Sequence, residues 1–453
     1  MPFASIHIND IGLITSADGD MMNEDAGIAL LLDEGLKIGN EASQLAKLHP
    51  RKVNDNYWQS PSVEQLKAVP SYVRHHADLI YHHLTKIHKD LGEPEKIALA
   101  VPSSMNAEQL SYILGIADAL PFEFCGLCDL AVAGAADGGL HGNLLHYDLQ
   151  RHQTVITLLE SDTEVEKKDV IVAPNLGLHA IQTKWANIIA DSFIEQSRFD
   201  PMHTAESEQN LFNQLPDWIN QLSNSNDLSL EFSTHERTYE AKIERQQFIA
   251  ANNEFIEALL KKGQELLPDP KHHLATHRLE SLLNLSTSGS QFEVLAQRAV
   301  TRTLAESHSE IVVDSEQLPL VTSLSIKSDN SHRLVNKTHA ANTAATMSQP
   351  KVASVSRSDS PTHLLVDNSA SALPGAGQTI NLSIEDNHLI TTSNSSQSIA
   401  SITHKNQQLL ITGKDPLLRL NNKSIDGETT ALESGDMIST SGGLSARLIT
   451  VTG

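Results

Sequence analysis

The chain has only two cysteines among 453 residues, which rules out a disulfide framework. It has no run of about 18 apolar residues, so no spanning helix is expected. The start, Met-Pro-Phe-Ala-Ser-Ile-His, lacks the basic-then-apolar plan of a secretory leader. Aromatic residues make up 4% of the chain, and none follows Phe292. Positive charge is also scarce: 33 Lys and Arg stand against 56 Asp and Glu. The deficit is local. Residues 327–453 hold ten of each sign, so residues 1–326 carry the whole net charge of −23. A body that acidic repels nucleic acid and anionic membranes and suits a basic protein partner. These bounds point to the cytoplasm, with no membrane insertion. No Gly-x-Ser-x-Gly, His-Glu-x-x-His or phosphate-loop GxxxxGK[ST] sequence occurs.

Hydrophobic residues make up 40%, a globular value. The length suits two to four domains of roughly 100–200 residues. In the first part strands alternate with helices, the signature of an α/β domain. Strands are expected over Ser5–Asp10, Gly27–Asp33, Leu36–Gly39, Lys96–Val101, Phe122–Cys125, a hairpin at 143–160, and Asp169–Ala173. Helices are expected near Asn40–Leu48 and over Ser71–Leu91, Ala107–Leu120, Asp129–Ala136 and Thr183–Phe199. Residues 207–267 form their own unit: a helix (Gln209–Leu222), two strands (Leu228–Phe232, Thr238–Ile243) and a helix (Phe248–Leu267). Residues 327–361 are rich in Ser, Asn, Thr and Ala and read as a flexible linker. Thr362–Gly453 alternates apolar and polar residues in short bursts between turn residues, including Ser398–Ile402, Leu417–Leu420 and Ala446–Val451, and reads as a small all-β sandwich.

Several segments of 1–326 occur in an order that resembles the ATPase domain of DnaK-type heat-shock chaperones, within the actin superfamily. They are Asp10-Ile11-Gly12-Leu13-Ile14-Thr15-Ser16, then Leu36–Ala42 with His49-Pro50, Ala98–Pro102 with Asn106–Gln109, Tyr147-Asp148-Leu149, and Leu228–Leu267. The resemblance implies an actin-like fold with a small lobe at about 200–270. It also implies ATP and Mg²⁺ as ligands, with Asp10, Gly12, Thr15, Asp148, Arg151, His152 and Gly177 as candidate contacts. The chain departs from that family where chemistry is done. Backbone loops that wrap phosphates need glycine, because a Cβ blocks close approach. Here Gln150-Arg151-His152 fills the second loop, and Leu13 and Ile14 stand where hydroxyls are expected. Cys128-Asp129 replaces a pair carrying a catalytic Glu, Ile219 and Asn220 replace basic groups that hold adenine, and Leu274–Leu285 lacks a glycine pair. Each loss costs about 10²–10³ in rate. The expectation is a pseudo-ATPase with no assured cofactor, acting as a chaperone-like adaptor or assembly protein. The alternative is a divergent ATP-dependent chaperone.

Leu420–Ile425 and Leu432–Ile438 resemble the closing motifs of a forkhead-associated domain. That resemblance implies phosphothreonine reading and nominates Ser398, Arg419 and Asn421, although Ser401 stands where a histidine is expected and Arg419 falls on the wrong loop. Other groupings read as structural. Cys125 and Cys128 are expected to be buried thiols. His75, His76, His82, His83 and His88 are expected on a solvated helix face, His273/His277 have no shared helix, and Glu160, Asp162, Glu164 and Glu166 read as a polar turn.

Overall fold

The computed structural model describes residues 3–326, leaving aside 68, 236 and 314–317, and parts of the span from His363 to Ile449. The expected linker at 327–361, and Asn421, lie outside the described residues. The chain divides into two compact units, Met1–Ala340 and Ala341–Gly453.

The N-terminal unit is mixed α/β. Its first sheet begins with an antiparallel meander, Ala4–His7, Leu13–Ala17 and Asp20–Asp25. Lys96–Val101 then lies parallel to Ala4–His7, and Glu123–Asp129 lies parallel to Lys96–Val101. The second sheet repeats this plan. Gly142–Leu149, Gln153–Ser161 and Glu164–Pro174 form the meander; His272–Ala275 and Phe292–Val294 follow as the parallel strands. In both sheets the strand order is third, second, first, fourth, fifth. Near the end of the unit, Leu320–Val321 pairs with Glu123–Asp129, and Ser323–Ser325 pairs with Glu164–Pro174. One short segment therefore touches both sheets.

The fifth strand of each sheet is followed by a helix, Leu130–Gly138 and Ala299–Glu306, and these two helices pack together. Every residue of Leu130–Gly138 is buried. Small residues make that approach possible: a Cβ at Gly134 would press to 2.9 Å from Leu295. Arg302 grips Asp137 with Nε and Nη2 at 2.6 Å each, a bidentate pair joining the helices. The expected unit at 207–267 forms as Ala205–Ser223, the hairpin Asp227–Ser233/Thr238–Glu244, and Arg245–Gly263. It packs on Leu178–Ser197 through Trp185, Phe193, Trp218, Phe232 and Phe248.

Several boundaries move. The first strand stops at His7, leaving Asp10 in a loop, and Leu13–Ala17 is itself a strand. The helix expected from Asn40 closes after Ser43. The helix expected from Ala107 is α-helical only to Gly115. The strand near Phe122 runs on to Asp129, so both cysteines lie in it. Glu164 and Glu166 belong to a strand rather than a turn. The helix expected from Ser71 starts at His76, with the His75 ring accepting from the Asp78 amide at 3.3 Å.

The histidine face is a correction. His76, His83 and His88 are buried beside Leu79, Ile80, Leu84 and Ile87. A spacing of seven separates His76 from His83, and that is also the spacing of a core-facing helical stripe. The apolar neighbours on that stripe draw the imidazoles inward, and only His82 of the group is fully exposed.

The described part of the C-terminal unit is all β, in a six-stranded and a five-stranded antiparallel sheet. Leu364, Leu382, Ile402, Ile411, Ile438 and Leu448 make its core. The strands expected at Ser398–Ile402, Leu417–Leu420 and Ala446–Val451 form as Ala400–Lys405, Arg419–Leu420 and Ser445–Ile449.

Candidate functional site

The loop after the first strand of one sheet faces the hairpin turn of the other. Asn9 donates to Asp148 Oδ1 at 2.9 Å and to the Leu149 carbonyl at 3.0 Å. The Arg151 amide donates to Asp10 Oδ1 at 2.7 Å. Identical strand order thus puts Asp10 and Asp148, 138 positions apart, at one seam. Both are buried. Burial raises Asp10 against the pull of the Arg151 amide and guanidinium. It pushes Asp148 up to about 7, despite Arg278 nearby.

The groups that might meet a phosphate are already engaged. The Arg151 guanidinium donates to the Asp10 carbonyl at 3.3 and 3.1 Å and to the Ile11 carbonyl at 3.3 Å. His152 lies 3.1 Å from Asp55, whose hydrogen bond raises the imidazole's affinity for its proton. Gly177 caps the 20-residue helix Leu178–Ser197. A Cβ there would collide with the backbone of residues 151–153. That close contact lets the Leu178 and His179 amides donate to the Gln150 and Arg151 carbonyls, at 2.9 Å each. A helix N-terminus is ordinarily an anion site because its first amides lack partners. Here the hairpin turn supplies them.

Other candidates are spread out. Gly12 gives its carbonyl to Arg278 at 2.7 Å. Thr15 is buried within its strand, and its hydroxyl donates to the Asn23 carbonyl at 3.2 Å. Cys128 is buried, and burial pushes its thiol up; Cys125 is raised likewise. Asp129 caps the helix Leu130–Gly138, accepting from the Ala131 amide at 2.9 Å, from Ser103 at 2.6 Å and from Lys167 at 3.0 Å. Among the described residues no group of three or more His, Cys, Asp or Glu is placed to hold a metal ion. Among them, too, no helix is long and apolar enough to cross a membrane.

Beside the seam lies a cleft of about 600 Å³. Ile219 lines it with Trp185, Phe212, Leu178 and Val53, whereas Asn220 faces solvent. Its cations are paired: Lys47 with Glu208 at 3.0 Å, and Arg278 with Glu24.

Two features escaped sequence reasoning. Arg278 lies in Leu274–Leu285, a stretch that stood out only for its missing glycines. A glutamine relay runs from Gln59 to Gln153 (2.8 Å), on to Gln150 (2.8 Å) and to Asp148 (3.2 Å). Its one visible signal was Gln at 150 and 153, flanking the turn.

In the C-terminal unit Ser398 has a cation beside it. Lys414 Nζ donates to Ser398 Oγ at 2.8 Å and to Asn381 Oδ1 at 3.3 Å. Arg419 is exposed on the other sheet. Nothing in the sequence joined Lys414 to Ser398 across sixteen residues.

No family model matches the chain, and no curated protein matches it.

Proposed function

We propose that residues 1–326 are a non-catalytic relative of DnaK-type ATPases with the actin-superfamily fold, and that the chain is a protein–protein adaptor. Two lobes of one strand order, meeting at Asp10 and Asp148, support the fold reading. Two packed antiparallel sheets support a forkhead-associated-like second unit. The observation that carries the loss of catalysis is the use of the Leu178 and His179 amides by the chain's own carbonyls. With the Arg151 guanidinium also bound to main chain, the seam does not fit a triphosphate. Both Asp148 oxygens are taken as well, Oδ1 by Asn9 at 2.9 Å and Oδ2 by Gln150 at 3.2 Å. The acidic body selects a partner with a basic surface. Titration calorimetry of the full chain with Mg-ATP is expected to give no heat of binding, and a phosphate-release assay no turnover. Micromolar binding with measurable hydrolysis would instead establish the divergent-chaperone reading.

The Lys414–Ser398 contact favours a second reading for the C-terminal unit, phosphopeptide recognition. An ammonium binds phosphate as a point charge, more weakly than an arginine fork. Lys414→Ala is expected to lower retention of phosphothreonine peptides on an array about tenfold, the loss of one charged hydrogen bond. Equal signals from phosphorylated and unphosphorylated peptides would remove this reading.

A further inference from the structure

The seam does more than lack a nucleotide site. Beside the Gln59–Gln153 and His152–Asp55 contacts, a dense group of cross-lobe bonds gathers on one short segment, Asn9–Gly12. The second lobe reaches in with two arginines. Arg151 takes the Asp10 and Ile11 carbonyls, while its own amide takes the Asp10 carboxylate. Arg278 takes the Gly12 carbonyl at 2.7 Å and the Glu24 carboxylate. Asn9 returns the contact to Asp148 and Leu149. Gly27 allows the loop to sit this low, because a Cβ there would strike the Asp10 backbone. The Arg278 side chain is only 6% exposed, so its bonds are made away from competing water.

The geometry points to a built-in latch: the Arg151 and Arg278 guanidiniums hold the two lobes closed, in the place where a bound ligand would otherwise supply the cross-lobe contacts. Closure then needs no ligand, and the partner meets one fixed shape. This rests on the non-catalytic reading and adds what replaced the ligand. Arginine suits the task. Its planar fork satisfies adjacent carbonyls together, and its own charge does not titrate in the ordinary pH range.

Amide hydrogen exchange on the full-length chain tests it. The reporters are the Arg151 and Lys47 amides, which donate across the lobes to Asp10 Oδ1 and Gln209 Oε1, and the strand Lys96–Val101 is the remote control. In Arg151→Ala/Arg278→Ala the reporters are expected to exchange about tenfold faster or more, with the control strand unchanged. Reporters that keep wild-type rates would overturn the latch. If the double variant loses protection throughout, Arg151→Lys decides. It keeps the charge but not the fork, and a rise confined to the reporters is expected; no rise overturns the proposal. Millimolar Mg-ATP is a separate arm on the wild type. A change there counts against the non-catalytic reading, while the arginine variants alone judge the latch.

Discussion

Replacing His83 with alanine is expected to destabilise the N-terminal unit by about 3–5 kcal/mol. The side chain is fully buried and holds three partners in place. Trp58 Nε1 donates to its Nδ1 at 3.0 Å, and Tyr57 Oη meets the same nitrogen at 2.7 Å. An indole N–H can only donate, so Nδ1 accepts, and Nε2 carries the proton. That proton goes to Asp25 Oδ2 at 3.1 Å. Asp25 also binds Lys86 and the Asn40 amide. Burial raises the Asp25 carboxyl, but the bonds from His83, Lys86 and Asn40 outweigh it and hold it at about 2. Alanine leaves a cavity, strands a buried phenol and indole, and takes one donor from a buried carboxylate. Phenylalanine fills the space but leaves the same polar groups unpaired, so it should do little better. Urea unfolding followed by circular dichroism gives the number. A loss below about 1 kcal/mol would mean these bonds carry no net stability.

Asp148→Asn is expected to act in the other direction. Burial pushes Asp148 up to about 7, well above the usual carboxylate range. A group raised on folding contributes stability that is present below its unfolded value, about 4, and lost as pH climbs through 7. Above pH 7 the native state holds a buried charge at a cost of about 4 kcal/mol. Asparagine removes the charge and can still accept from Asn9. The variant should therefore match the wild type near pH 4 and exceed it by about 4 kcal/mol at pH 8. The buried histidines His7, His83 and His146, and the half-buried His277, act oppositely, His146 being held at about 3. Each is neutral in the native state, so its contribution is lost as pH falls below about 6.5. Their effects cancel when variant and wild type are compared at one pH. A variant less stable than wild type at pH 8 would show that the Asp148 charge is stabilised by its surroundings.

The two halves of the chain differed in how far sequence reasoning reached. Local periodicity placed Lys96–Val101 with both ends correct, and the strands either side of Gln150–His152 within a residue or two. These are apolar runs closed by turn residues, and their signal is local. Thr15 was misplaced because Leu13–Ala17 is short and sets two polar residues, Thr15 and Ser16, side by side in a buried strand, so it lacks the alternation that marks a strand. The histidines of His76–Asp90 were misjudged because an imidazole reads as polar, whereas its burial depends on partners 25, 26 and 58 residues away.

What the amino-acid order determined by itself is the alternation of elements, the acidic body, the composition break at 327–361, and the absence of glycine from the turn at 150–152. Those depend on residue type and near neighbours. The repeated strand order, the meeting of Asp10 with Asp148, and the grip of Arg151 and Arg278 on Asp10–Gly12 were decided only by tertiary structure. They come from pairings between residues far apart in the chain, such as Ala4 with Ile97, Asp10 with Arg151 and Gly12 with Arg278, and no local pattern encodes such pairings. The absence of glycine argued against a phosphate-wrapping loop at 150–152. Only the folded chain reveals that its own arginine and carbonyls stand there instead.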